Sequence, residues 1–362
     1  MKPLQSIHLF WLLLLSHSSL ATPLAPQDNT PIYDGPYVFI EPGAAQPQTA
    51  HWICHNQLAQ TPIKQAKLSR PSDCAQLPEP TLNSHATALL PDTYEGVNKV
   101  IALSDVHGQY DVLINLLRRH KVIDSQLHWA AGDAHLVMTG DMFDRGHQVN
   151  EVLWFMYQLN QQAQAAGGQL HLLMGNHEQM VMRGDLRYVH PRYQTASEQL
   201  GRSYDALYAN DTVLGQWLRS KHTIVKINDT LFLHGGISQE WIDRKLTLSR
   251  VNALYRQHID KSKPELKQDD LLNFLFFGNG PTWYRGYFKA NFNQQELDNI
   301  LAYFNVKRIV VGHTSQSQVL GLFDNQVIAV DSSIKLGESG ELLIIEDNQL
   351  IRGHYDGARS IL

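Results

Sequence analysis

Between Lys99 and Gly175, short apolar runs repeatedly end on residues able to hold a ligand. V-I-A-L-S (Val100–Ser104) runs into Asp105, H-L-V-M-T (His135–Thr139) into Gly140-Asp141, and L-H-L-L-M (Leu170–Met174) into Gly175-Asn176. Runs of this length, bounded by turn residues, read as buried strands. The intervening stretches change period. Tyr110–His120 repeats Val112, Leu113, Leu116 and Leu117 at helical spacing, and Val149–Ala166 reads as a second helix closed by Gly167-Gly168. Strands alternating with helices predict an α/β sheet. In such sheets ligands collect outside the carboxyl ends of the strands, so these ends should converge on one crevice.

The segments at those ends are S-D-V-H-G (Ser104–Gly108), G-D-M-F-D-R-G (Gly140–Gly146) and G-N-H-E (Gly175–Glu178). H-G-G (His234–Gly236) and V-G-H-T (Val311–Thr314) follow later strands in the same way. Singly, each is a common turn. Together, in order and at strand ends, they offer Asp, His, Asp, Asn, His and His, a hard oxygen and imidazole set without thiolate that suits Mn, Fe or Zn.

In that order the motifs resemble the calcineurin-like metallophosphatase superfamily, in its phosphoprotein-phosphatase branch, over roughly residues 95–345. G-P-T-W-Y-R-G (Gly280–Gly286) and D-G-P-Y-V-F (Asp34–Phe39) are similar to the Shewanella-like phosphatases, which include a cold-active enzyme acting on phosphotyrosine. The resemblance implies an α/β (α+β sandwich) fold: two mixed β-sheets packed face to face, flanked by helices, with a small N-terminal lobe. It also implies two divalent metal ions. Asp105 and His107 would hold one, Asp141 would bridge both, and Asn176, His234 and His313 would complete the second. Such a pair activates a shared water for direct attack on phosphorus, so no Cys or Ser nucleophile is needed. His177 would be the general acid and Asp144 the carboxylate that orients it. Arg145 and Arg285, with Asn176, would contact the phosphate oxygens, the guanidinium fork being well matched to them.

The serine/threonine members carry S-A-P-N-Y-C after the last histidine, whereas S-S-I-K-L-G (Ser332–Gly337) stands here. The reading is therefore an exported dinuclear-metal phosphomonoesterase, a metal-dependent phosphatase tilted towards phosphotyrosine in proteins, peptides or small phosphomonoesters. Its alternatives are a bis(5'-nucleosyl)-tetraphosphatase, disfavoured by export, and a non-catalytic periplasmic metal-binding module, disfavoured by the complete ligand set. With 30 Lys plus Arg against 35 Asp plus Glu, the chain lacks the basic footprint of a nucleic-acid binder.

Residues 1–21 have the charged, apolar and small-residue pattern of a signal peptide cut after Ala21, which predicts a periplasmic or secreted protein with no stable membrane insertion. Residues 22–95 read as an N-terminal arm or small lobe, and 96–362 as the catalytic domain, with helical insertions at about 180–220 and 239–304. Cys54 and Cys74 are the only cysteines, and outside the cytosol they are expected to form a bridge worth ~3 kcal/mol. Hairpins are expected at Asn228-Asp229, Asp324-Asn325 and Asp347-Asn348, and a capping box at Asn293 and Glu296. Histidines outside the motifs read as surface or core, with His147 the exception as a residue supporting the site. Asp331 reads as a turn residue, with support of His313 as its alternative, and N-F-L-F-F (Asn273–Phe277) as core.

Overall fold

In strand Lys99–Leu103, Val100 and Ala102 point one way and Ile101 and Leu103 the other, yet all four are buried. A strand that is apolar on both faces must be covered on both faces. A computed structural model, which describes residues 30–43 and 46–362, shows what covers them. The predicted signal segment, residues 1–21, lies outside the described residues, and every element below belongs to the compact unit Ile32–Leu362.

Two six-stranded mixed sheets form the core. In the first, Lys99–Leu103, His135–Met138 and Gln169–Leu172 run parallel in that spatial order. Leu342–Glu346, Gln349–Gly353 and Arg359–Ile361 extend it antiparallel from Lys99–Leu103. In the second, the order across the sheet is Leu320–Leu322, Val327–Ala329, Arg308–Val311, Thr230–Leu233, Ile224–Ile227 and Thr93–Tyr94. Val100, Ala102, Val137 and Leu343 of the first sheet form one apolar cluster with Val225, Phe232, Val310 and Ile328 of the second. That cluster is the layer between the sheets. The alternate residues, Ile101, Leu136, Leu231 and Ile309 among them, belong to a separate cluster shared with the helices. Helix Val149–Ala165 packs on Gln169–Leu172, and helix Leu248–His258 on Ile224–Ile227. Two sheets face to face, flanked by helices, is the expected sandwich.

The three predicted hairpin turns join paired antiparallel strands as expected. The capping box at Asn293 is half made. Its side chain accepts the Glu296 N–H at 3.1 Å, but the Glu296 carboxylate takes the Asn293 side-chain amide at 3.0 Å, not its backbone N–H. In the N-terminal segment, Asp34–Val38, Thr49–Cys54 and Gln57–Pro62 form a three-stranded antiparallel sheet. Cys54 and Cys74 are bridged, with Cα atoms 5.5 Å apart. Trp52 and Ile53 join the same apolar cluster as Trp154, whose indole N–H donates to the Pro36 carbonyl at 2.8 Å. Among the described residues no helix is long and apolar enough to cross a membrane.

Candidate active site

The five strand-end segments do meet. The Ser104–Gly108 and Gly140–Gly146 loops zip together by backbone bonds: His107 N–H to Asp141 O at 2.9 Å, Gly108 N–H to Met142 O at 3.0 Å, and Gly146 N–H to His107 O at 2.9 Å. In these two loops Asp105, His107, Asp141, Asp144 and Arg145 adopt positive φ, between 47° and 71°, as does His313 after its own strand. Non-glycine residues rarely do so, and such strain gathers at functional sites. Two glycines are required by space. A Cβ on Gly175 would stand 2.2 Å from Asp141 Oδ1, and one on Gly312 would stand 2.6 Å from Asp105 Oδ2.

Asp141 is the hub. Its Oδ2 lies 3.2 Å from His234 Nε2, 3.6 Å from His107 Nε2 and 3.8 Å from His177 Nε2, while its Oδ1 accepts the His177 N–H at 2.9 Å. His107 Nδ1 meets the Phe143 carbonyl at 2.6 Å, and His234 Nδ1 meets the Thr139 carbonyl at 2.9 Å. A carbonyl only accepts, so both rings carry a proton on Nδ1 and turn Nε2 towards carboxylate oxygens. That pinned tautomer is the habit of metal-ligating histidine. His313 is pinned the other way: its Nε2 donates to the Trp283 carbonyl at 3.2 Å, and its Nδ1 accepts from Arg285 Nη2 at 3.4 Å. Asn176 Oδ1 lies 2.9 Å from His234 Nε2. Asp105 reaches across: its Oδ2 accepts from Ser104 Oγ at 2.6 Å and from the His313 N–H at 2.9 Å, and its Oδ1 lies 3.7 Å from His107 Nε2.

Electrostatics point the same way. Burial opposes ionisation of Asp105 and Asp141, but His234 and the other imidazoles hold both well below the usual carboxylate range. Burial also opposes a charge on His234, yet Asp141 and Asp105 raise it to about 9. His313 is pushed down to about 3 by burial, His234 and Arg285. The buried carboxylates thus call for positive charge between them, and this donor set fits cations. Two groups with ligand atoms at metal-binding spacing are His107, Asp141 and His177, and Asp141, His234 and His313. The first includes the predicted acid, His177, in place of Asp105.

His177 Nδ1 lies 2.5 Å from Asp144 Oδ2. Although burial resists it, Asp141 and the bond to Asp144 hold the imidazolium form of His177 above the ordinary range. The Arg145 guanidinium lies over the Tyr188 ring, 5.2 Å from its centroid, at the exposed mouth. Arg285 donates to the His313 carbonyl at 2.8 Å.

Two residues at the candidate site carry little or no signal in the sequence. Glu178 accepts backbone N–H groups of Asp141 (2.9 Å), Met142 (2.7 Å), Phe143 (3.4 Å) and Gly175 (2.7 Å), tying two ligand loops together. Its place three residues after Gly175, at a helix start, was the available signal. Tyr188 is 43% exposed with its ring 5.3 Å from that of His177, in a stretch without readable periodicity. His147 does not support the site: its ring lies 5.9 Å from that of His190 and its carbonyl holds Arg192. Asp331 accepts from Ser315 Oγ at 2.6 Å and from the Ser333 N–H at 3.2 Å, so it braces the loop after His313 and does not touch His313.

The sequence pattern of the calcineurin-like phosphoesterases matches residues 98–317. The chain belongs to that family. Among solved structures, this phosphoesterase is similar to the cold-active protein-tyrosine phosphatase of a psychrophilic Shewanella species. The two share 64% identity at a TM-score of 0.89, over 91% of this chain and 99% of that one. It is 29% identical over 259 residues to Shewanella-like protein phosphatase 1 of Plasmodium berghei, covering 68% of this chain and 69% of the relative. With Shewanella-like protein phosphatase 2 of Arabidopsis thaliana it shares 24% identity over 301 residues, 70% of this chain and 76% of the relative. The phosphoesterase is a metal-dependent phosphatase.

Proposed function

We propose that this phosphoesterase is an exported phosphomonoesterase with two divalent metal ions, acting on phosphotyrosine in proteins or peptides. The observation that carries the reading is Asp141 Oδ2 set between His107 Nε2 and His234 Nε2, with the His177–Asp144 pair directly beside it. Asp105, His107 and Asp141 would hold one ion, and Asp141, Asn176, His234 and His313 the other. Manganese, zinc and iron all suit these donors. When bound, the ions supply an activated water and charge neutralisation for the phosphoryl group.

The chain's own groups do the rest. His177 keeps its Nδ1 proton on Asp144 and turns Nε2 into the cleft, where it protonates the leaving ester oxygen as the phosphorus–oxygen bond breaks. Arg145 and Arg285 flank the centre and contact the non-bridging phosphate oxygens. Tyr188, exposed beside His177, offers an aromatic face to an aryl leaving group. The 64% identity to a tyrosine phosphatase supports this substrate class. The Cys54–Cys74 bridge supports an oxidising compartment.

The test is phosphate release by the purified protein from matched phosphotyrosine and phosphoserine peptides and a dinucleoside tetraphosphate, before and after chelation. Preferential, chelator-sensitive release from phosphotyrosine is expected. Release from the dinucleotide alone would overturn the reading.

A further inference from the structure

Strand Lys99–Leu103 delivers Asp105 to the metal-ligand cluster at one end, and at its other end it opens onto a surface groove of about 550 Å³. Four cations line this groove: Lys99, Arg119, Lys121 and Arg359. Glu346 is its one lining carboxylate, and Lys99 takes it at 3.3 Å. Arg119 has a 3.5 Å contact to Asn115, but neither it nor Lys121 nor Arg359 has a carboxylate partner among the described residues.

This gathering runs against the composition of the chain, whose net charge is −5. Part of it has a local cause: Arg119 ends helix Tyr110–Arg119, and cations favour the carbonyl end of a helix. That cause does not reach Arg359, which arrives on a different element, the edge strand Arg359–Ile361. Arg119, Lys121 and Arg359 are exposed like charges around one groove, and a bound anion would relieve their mutual repulsion.

The rest of the lining narrows the anion. Ala130, Ala131 and Gly357 are small, and among the described residues no aromatic side chain but the buried His120, and no long apolar one, lines the groove to hold a base, an aryl ring or an acyl chain. His120, 2% exposed, gives its Nε2 proton to the His354 carbonyl at 2.8 Å, and its Nδ1 has no hydrogen-bond partner among the described residues. Guanidinium forks pair bidentately with carboxylate and phosphate alike, but three cations around one small-walled groove suit a compact anion of several charges.

We propose that this groove is a second, non-catalytic site for a multiply charged phosphate-type oxyanion, such as a di- or triphosphate group, held by Arg119, Lys121 and Arg359. By strand rise it lies roughly 20 Å from Asp105, so it can be filled while substrate occupies the catalytic cleft.

Calorimetric titration of the metal-loaded protein with tripolyphosphate tests this at low salt, where such contacts are least screened. The wild type should show a binding event that the Arg119→Gln/Arg359→Gln double variant loses or weakens by about tenfold or more. Hydrolysis of a phosphotyrosine peptide should be unchanged in that variant. Hydrogen–deuterium exchange should slow on tripolyphosphate addition in residues 118–131 and 357–360 of the wild type. Lys121→Gln, at an exposed position, should weaken the same event and serves if the double variant folds poorly. Identical isotherms for wild type and variants would overturn the proposal. Equal binding of a hexaglutamate peptide would also overturn it, by assigning the groove to acidic protein segments.

Discussion

His177 Nδ1 stands 2.5 Å from Asp144 Oδ2, and Asp144 Oδ1 has no hydrogen-bond partner among the described residues. Holding the His177 ring is thus the one side-chain task Asp144 performs. Replacing His177 with Asn should lower turnover by about 10²–10⁴-fold while bound metal stays near the wild-type level. Asp144→Asn should cost about 10–100-fold, again with metal retained. Turnover and elemental analysis on the same preparations check both. Full activity in His177→Asn would remove the assigned acid.

Glu178 predicts a different signature, because its carboxylate touches four backbone N–H groups and no proposed reacting atom. Glu178→Gln should destabilise the fold by about 2–4 kcal/mol, since an amide cannot accept all of them. Metal content should fall with stability, as the Gly140 and Gly175 loops lose their tie. Urea unfolding and metal analysis would read this, and an unchanged midpoint would contradict it.

The Cys54–Cys74 bridge closes a sequence separation of 20 residues. Its removal by a Cys54→Ser/Cys74→Ser pair should cost ~3 kcal/mol and lower the Tm. Because the bridge lies in the N-terminal segment, phosphatase turnover at low temperature should change little. Calorimetry against an activity assay separates the two effects.

His135 and His171 predict how the protein responds to acid. They lie in the layer between the sheets, with Nε2 of His171 3.0 Å from Nδ1 of His135 and the Tyr94 ring against both. Burial pushes both below the ordinary histidine value, helped for His171 by His135, His222 and Lys221. The folded state therefore keeps them neutral, while the unfolded chain protonates them near pH 6.5. Their contribution is complete above that value and is lost as pH falls below it, at up to about 1.4 kcal/mol per pH unit for each group. Urea midpoints between pH 7.5 and 5 should decline in the wild type. A His135→Gln/His171→Gln variant should show a flatter profile.

Much of the candidate site was legible because its Asp, Asn and His residues sit at or just after strand ends, where local pattern and chemistry coincide. Asp105, Asp141 and Asn176 follow apolar runs directly, and the sheet brings those ends together. What could not be read depends on crossings between distant segments. The bond from Arg285 to the His313 carbonyl spans 28 residues, and Tyr188 meets His177 through an irregular stretch with no period to follow. Asp331 shows the same limit, since only the folded chain reveals that it holds Ser315. The second sheet was expected from family resemblance alone, because β-α-β alternation does not distinguish one sheet from two.

The most direct test of the account is phosphate release from a phosphotyrosine peptide by wild type and Asp141→Asn, with bound metal counted in each. Two ions per wild-type chain, chelator-sensitive turnover, and loss of both metal and activity in the variant are the predicted result. An Asp141→Asn protein that folds and turns over at the wild-type rate would contradict the assignment of Asp141 as the bridge.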